Sequence, residues 1–343
     1  MSNRIIRWGF TGCGNVVETK SGKGFQNVQN SEIHAILRRD IHRAQASAKQ
    51  YGCPFFYDDI HDLLANPEID AVYINTPPGL HYEQAMLCCK ARKAAYIEKP
   101  LARNLDEASR IVRCFTENDI PLFVAHYRRA LPRFIEIKRI LDSGEIGKPL
   151  EVCFRMTRTY APVEDETWMY NPVLSGGGRF FDVAPHTIDI LIFLFGDFVE
   201  VAGSATNNRP EYLVEDMVVM SFKTQTGVVG TVNFNSVSDV NGDRMTIYGT
   251  SGTVEFSMHA DDTVTVHSFG KTRSFEMKTP EYIEEPLIAT VVAELLGYGY
   301  CPSRGMDALP SVRVIDTVLD SYYGGRQRDF WNHPSTWSHH HGR

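Results

Sequence analysis

No stretch of this 343-residue chain reaches the roughly 20 consecutive apolar residues that span a bilayer. Nor is there a basic excess. Lysine and arginine number 35 against 42 acidic residues, and the formal charge of −7 excludes a general nucleic-acid or acidic-membrane binder. The opening MSNRIIRWGF lacks the long apolar core and small-residue cleavage site of a secretory signal. Cysteine is sparse and irregular: the seven (Cys13, Cys53, Cys88, Cys89, Cys114, Cys153, Cys301) form no C-x-x-C pair. Free buried thiols in a reducing, cytoplasmic setting are expected. No third and fourth metal ligand stand at metal spacing around any Asp or His of interest, so no metal is expected. The short run His339–His341 is read as incidental. Internal repeats and low-complexity linkers are also lacking.

What is present is an ordinary globular composition, 43% hydrophobic and 22% charged, in a chain long enough for two domains. Residues 1–125 alternate short apolar runs (Ile5–Phe10, Ile33–Leu37, Phe55–Tyr57, Ala71–Asn75, Ala95–Ile97, Leu122–Ala125) with helix-compatible stretches. That alternation predicts a doubly wound parallel sheet, its strands nearly continuously apolar because both faces are covered. Residues 126–343 have a different texture. Longer β-rich stretches run over Leu150–Tyr160, Phe198–Thr206, Val214–Phe222, Val228–Phe234, Arg244–Tyr248, Thr253–Phe256 and Thr263–His267. The turn signals KTQTG and GTSG between neighbours read as hairpins. A helix is expected from about Gly178 to Phe195, and a closing pair over Pro286–Gly297 and Leu309–Gly324. The expected class is α/β, with the parallel-sheet domain followed by an α+β domain on a large, mostly antiparallel open sheet.

The first apolar run ends in GCGNVV, residues 12–17. Gly12 permits a tight turn and Gly14 lets the backbone approach a pyrophosphate. Cys13, Asn15 and Val16 complete a loop whose amides begin a helix with its positive end toward that anion. Val17 stands where G-x-G-x-x-G has its third glycine, which implies slightly wider helix packing and leaves anion binding intact. The second strand ends AILRRD. Arg38 and Arg39 at its tip suit a ribose 2′-phosphate, which favours NADP over NAD; Asp40 would suit the free hydroxyls of NAD instead.

Two further stretches carry chemistry. YIEKP, Tyr96–Pro100, closes the fifth apolar run, at the strand edge where doubly wound folds bind ligands. Lys99 there can stabilise a developing alkoxide. Glu98 can bond a ribose hydroxyl or hold the lysine, and Lys99–Pro100 is a candidate cis bond. GGGRFFDVAPHTID, Gly176–Asp189, bends before a helix. Asp182 and His186 stand four apart on one face, and Pro185 interrupts the amide ladder just before the imidazole. An imidazole titrating near neutrality can move a proton, and a carboxylate one turn away can orient it.

These motifs, with NTPPGLH between the first two, resemble the Gfo/Idh/MocA oxidoreductases, the glucose–fructose oxidoreductase and inositol dehydrogenase group. The resemblance implies a Rossmann domain, a second α/β domain whose open sheet often joins subunits, and a homodimer or homotetramer. It implies hydride transfer between nicotinamide C4 and a hydroxyl or keto carbon of a sugar, cyclitol or related carbohydrate. Position by position, Lys99 matches the motif lysine, His186 the acid/base and Asp182 its supporting carboxylate. Thr76, Pro77 and His81 match the loop lining the cofactor, together with Glu98 and Lys99. Arg129 in HYRRALP matches a family arginine. Tyr127, Tyr160, Trp168 and Asn171 are expected to line the substrate pocket with Arg129. Met169 stands where the family often has an arginine after the tryptophan, so substrate contacts should differ here. Two alternatives stay open on the same scaffold: a redox-assisted glycosidase with tightly bound NAD, and a catalytically silent cofactor-sensing regulator.

Overall fold

The computed structural model describes residues 4–159, 168–209 and 211–338. Tyr160 and His339–His341 lie outside the described residues. The chain packs as two units: Met1–Ala130 with Pro280–Leu309, and Leu131–Thr279 with Pro310–Arg343.

The first unit is built on β1 (Ile6–Thr11), β2 (Ser31–Leu37), β3 (Phe55–Tyr57), β4 (Ala71–Ile74), β5 (Ala94–Ile97) and β6 (Leu122–Val124). All pair in parallel, in the order β3-β2-β1-β4-β5-β6. The helices between them are α1 (Gly22–Asn27), α2 (Ile41–Tyr51), α3 (Ile60–Ala65), α4 (His81–Lys90) and α5 (Leu105–Glu117). Their ends follow local chemistry. Asp40, Asp59 and Asn104 cap α2, α3 and α5 with side-chain oxygens, and Gly52 ends α2 at φ +71°. Trp8, Phe10, Phe25, Tyr73 and Tyr96 form one aromatic cluster, with most neighbouring ring centroids 4.8–5.2 Å apart. Each such pair adds about 1 kcal/mol beyond the area it buries. Helix α9 (Glu285–Leu295) belongs to this unit and joins α1 through an Asn27 Nδ2 bond to Glu285 (2.8 Å).

Contrary to expectation, not all seven thiols are free. Cys89 on α4 and Cys114 on α5 form a disulfide with Cα atoms 6.5 Å apart. The two helices lie side by side, a proximity invisible in a 25-residue sequence separation. With this pair joined, cysteine usage no longer argues for a reducing compartment.

The second unit carries eight strands: β7 (Pro149–Thr157), β8 (Phe198–Thr206), β9 (Met217–Thr224), β10 (Val229–Asn235), β11 (Gly242–Gly249), β12 (Gly252–Phe256), β13 (Thr263–Ser268) and β14 (Lys271–Glu276). Their order is β14-β13-β12-β11-β7-β10-β9-β8, antiparallel except for β7 with β10. Helices α6 (Pro132–Asp142), α7 (Pro172–Ser175), α8 (Arg179–Phe195) and the bulk of α10 (Gly305–Tyr323) complete it. Along β9, Val218, Met220 and Phe222 are buried while Val219, Ser221 and Lys223 are exposed, so one sheet face is covered and the other open.

Several elements differ from expectation, three of them for a visible local reason. Strand β14 gave no periodic signal because it is an edge strand with nearly every residue exposed. Helix α10 begins at Gly305, ahead of the expected Leu309, with the Arg304 amide bonded to the Asp307 carboxylate (2.8 Å). Strand β9 starts at Met217, three residues later than expected, because Glu215 leaves the strand path to serve α8. Among the described residues no helix is long and apolar enough to cross a membrane.

Candidate active site

The first unit gathers its motif residues at one edge of the parallel sheet. The strand order reverses between β1 and β4, and the loops after both meet there. Gly12 sits at φ +89°, and its carbonyl accepts Asn75 Nδ2 (3.1 Å); a Cβ on Gly12 would lie 3.0 Å from Asn75 Oδ1. A Cβ on Gly14 would meet nothing within 4 Å, so the space above the loop is open. Val17 and Glu18 donate to the Gly14 carbonyl, and the amides just before them lack helical acceptors. An open glycine loop at a helix start fits a dinucleotide pyrophosphate. Val17 is accommodated by a widened turn: Val17–Ser21 is π-helical with Val17 fully buried at its start. Close packing passes to Gly22, whose Cβ would stand 2.6 Å from the Val17 carbonyl.

At the tip of β2, Arg38 donates to Ser47 Oγ (3.0 Å), while Arg39 is exposed. Burial pushes the Cys13 thiol up, opposed by a Ser47 hydrogen bond and by Arg38, which places Arg38 beside the glycine loop. Asp40 is engaged as the α2 cap, accepting from the His42 and Arg43 amides.

At the tip of β4, Thr76 Oγ1 and Thr11 Oγ1 both donate to Gln84 Oε1 (3.1 and 2.8 Å), and Pro77 precedes the short turn into α4. His81 is fully buried; its ring nitrogens face the Thr76 and Pro100 carbonyls at 2.7 and 3.0 Å. It ties the loop after β4 to the loop after β5. Burial lowers its pKa against the pull of those carbonyls and of Glu98. Lys99 follows β5 directly, and Lys99–Pro100 is cis. Glu98 accepts the Tyr73 hydroxyl (2.6 Å) and the Lys99 amide (3.3 Å).

No sequence pattern pointed to Glu284, delivered by the segment that returns before α9. It is 0% exposed, and neither carboxyl oxygen makes a hydrogen bond of good geometry. Burial, then the charge of Glu98, holds its carboxyl well above the ordinary range, against the opposing pull of Lys20 and Lys99. Tyr127 is buried, and Arg129 Nη1 donates to the Pro302 carbonyl (3.0 Å), which follows α9.

In the second unit the GGG turn is set by contacts. Gly176 has φ +80°, and a Cβ on Gly178 would fall 2.0 Å from the Glu215 carbonyl. The buried Glu215 carboxyl group then accepts the Gly178 and Phe181 amides (2.8 and 3.1 Å), giving the start of α8 the acceptors it lacks. Tyr323 donates to the same carboxylate. Arg326 packs its guanidinium on Phe181, Tyr323 and Phe330 and bonds Asp316 (2.8 Å). On the helix so anchored, His186 is 6% exposed, Asp189 is buried, and Asp182 lies 3.7 Å from Arg179. Arg179 Nη1 also reaches the Met169 sulfur (3.5 Å). A guanidinium therefore stands at Met169 although residue 169 itself carries none. Asn171 caps α7 through the Val173 amide (3.1 Å), and Trp168 is half-buried.

The loop and EKP thus lie in the first unit and the GGG helix in the second. The sequence missed Asn75, Gln84 and Ser47, which fix the loops, and Glu284, Glu215 and Arg179. A buried acid flagged by an otherwise apolar neighbourhood, as in LVEDMVVM, was the only signal available for Glu215.

Residues 6–126 match the oxidoreductase family with an NAD-binding Rossmann fold, and residues 134–255 match the Gfo/Idh/MocA C-terminal domain. An oxidoreductase of Formosa agariphila is 34% identical over 316 residues, covering 91% of this chain and 97% of its own. The myo-inositol 2-dehydrogenase of Thermotoga maritima is 28% identical over 258 residues, 73% of this chain and 74% of its own. A levoglucosan dehydrogenase solved with NADH and levoglucosan superposes with TM-score 0.83 at 22% identity, covering 93% and 97% of the two chains.

Proposed function

This chain belongs to the Gfo/Idh/MocA oxidoreductases, and from that premise we propose that it interconverts a secondary alcohol and a ketone on a sugar, cyclitol or related carbohydrate. The observation that carries the reading is the convergence of the loops after β1, β4 and β5 on one sheet edge, with Lys99 among them. Relatives named for inositol and levoglucosan support the substrate class. Bound on this edge, a nicotinamide dinucleotide would exchange a hydride with the carbinol carbon. Gly12–Val16 would hold its pyrophosphate, Glu98 a ribose hydroxyl, and Thr76 and Pro77 its nicotinamide half, with His81 bracing that loop. Lys99 stabilises the alkoxide-like oxygen. His186 takes the hydroxyl proton in oxidation and returns it in reduction, and Asp182 orients it. Tyr127, Arg129, Tyr160, Trp168 and Asn171 are assigned to the substrate side. NADP is the preferred dinucleotide: Arg38 is held beside the loop, Arg39 is exposed, and Asp40 is committed to capping. The open face of the second unit's sheet joins subunits into a dimer or tetramer; a monomer by light scattering would remove that part alone.

Lys99→Ala and His186→Ala should each lower turnover on the best of a sugar and cyclitol panel by about 10²–10⁴-fold. Dinucleotide affinity by fluorescence titration should stay within a few-fold. Unchanged turnover in either variant removes that residue from the mechanism. A dinucleotide that co-purifies and never exchanges would favour the glycosidase reading.

A further inference from the structure

His186 is 94% shielded from solvent, yet each oxidation would leave it with a proton that has to depart before the next turnover. The structure places a second imidazole against it. The rings of His186 and His259 lie 6.0 Å apart between centroids, at 69° to one another. His259 sits in the turn after β12, half-exposed, and the next residue, Ala260, is exposed. So the pair runs from a buried residue to a half-exposed one within a single unit, with Nε2 of His259 on the buried side of its ring.

The turn is held firmly. Ser257 Oγ donates to Asp243 Oδ2 (2.8 Å) and accepts the amides of His259 (3.1 Å), Ala260 (2.6 Å) and Asp261 (3.3 Å). Asp243 Oδ1 also accepts the Met258 amide (3.0 Å), and the His259 amide is shared with Asp243 Oδ2. Such a serine-capped turn fixes the backbone that carries the imidazole. An imidazole in its ordinary state titrates close to neutrality, and two rings at this separation can exchange a proton through one bridging water.

We propose that His259 is a proton relay, passing the proton that His186 takes from the substrate hydroxyl out to solvent, and returning one during reduction. The inference rests on the acid/base role of His186. The balance is simple. Oxidising one carbinol breaks its O–H and C–H bonds. The C–H hydrogen leaves with its electron pair to the oxidised nicotinamide dinucleotide, and the O–H proton goes to His186, then His259, then a water or buffer base. His259 touches no reacting carbon, so its removal should slow turnover without weakening substrate binding.

The test is His259→Asn and His259→Gln in the full chain, assayed in dilute non-imidazole buffer. Expected are a fall in kcat of about tenfold with KM within twofold, a larger solvent deuterium effect on kcat, and saturable recovery on adding imidazole. In the cofactor-free protein, the His186 ring should titrate at a different pH in His259→Asn when followed by NMR. A kcat within twofold of the parent, or a loss that imidazole does not restore in variants that melt normally, overturns the relay. His186→Ala separates the two readings: if it keeps full turnover, the acid/base assignment itself has failed; if only the His259 variants are normal, the relay alone has.

Discussion

Glu215 and Glu284 are both fully buried carboxyl groups beside a motif, and the folding around them is opposite. Glu215 is surrounded by donors: two amides at the start of α8, the Tyr323 hydroxyl, and the Arg326 guanidinium nearby. Glu284 has no well-formed hydrogen bond and faces another carboxylate, Glu98. Burial raises the pKa of both, but the bonds to Glu215 pull it back, whereas Glu98 adds to the rise at Glu284. One acid therefore serves as a structural anchor for a helix. The other has its carboxyl pushed well above the ordinary range next to the strand tip that bears Lys99. Donors around a buried carboxyl ease its ionisation; a neighbour of the same sign makes it hold its proton more tightly.

The comparison breaks most readily at Glu215. Glu215→Ala should lose roughly 3 kcal/mol or more in urea unfolding, since buried amides of α8 are orphaned while their desolvation cost remains. An unchanged midpoint would mean the helix start is satisfied elsewhere. Gly178→Ala should cost about 2 kcal/mol by forcing a Cβ against the Glu215 backbone, which has no flexible end to give way.

Glu284→Gln should act in the other direction. A carboxyl with a raised folded-state pKa binds its proton more tightly in the native state. Its contribution is therefore present below the ordinary carboxyl pKa of about 4.3 and is lost as pH rises above it. The neutral amide removes that loss, so the variant should match the parent at acid pH and gain on it steadily toward alkaline pH in parallel thermal melts. A constant difference at every pH would show that the native carboxyl is already ionised. The smallest effect is on the dinucleotide. Arg39→Ala should weaken NADP by about tenfold and leave NAD within twofold, because one exposed guanidinium is worth only about 1.4 kcal/mol. Equal losses for both would return the ribose assignment to Asp40.

Much of the fold was legible. Strand limits over Phe55–Tyr57 and Phe198–Thr206 coincide with expectation: the first is wholly aromatic, and the second opens on Phe-Val after the Gly-Asp turn that ends α8. The GCG loop and the GGG turn announced themselves through glycine, whose use is a local backbone matter. The disulfide did not, since Cys89 and Cys114 meet only through the packing of α4 on α5. Edge strand β14 did not either, because its side chains are mostly solvated and show no alternation.

By itself the order of residues determined the parallel first sheet, the hairpins of the second, and the identities of the loop, EKP and helix motifs. Each of these rests on periodicity or turn chemistry between near neighbours. Tertiary structure alone decided that Glu215 would fill the start of α8, that Glu284 would return to face Glu98, that Arg179 would reach Met169, and that His259 would stand beside His186. Those pairings set protonation and reach, and both depend on distance and burial in three dimensions, which no local pattern encodes.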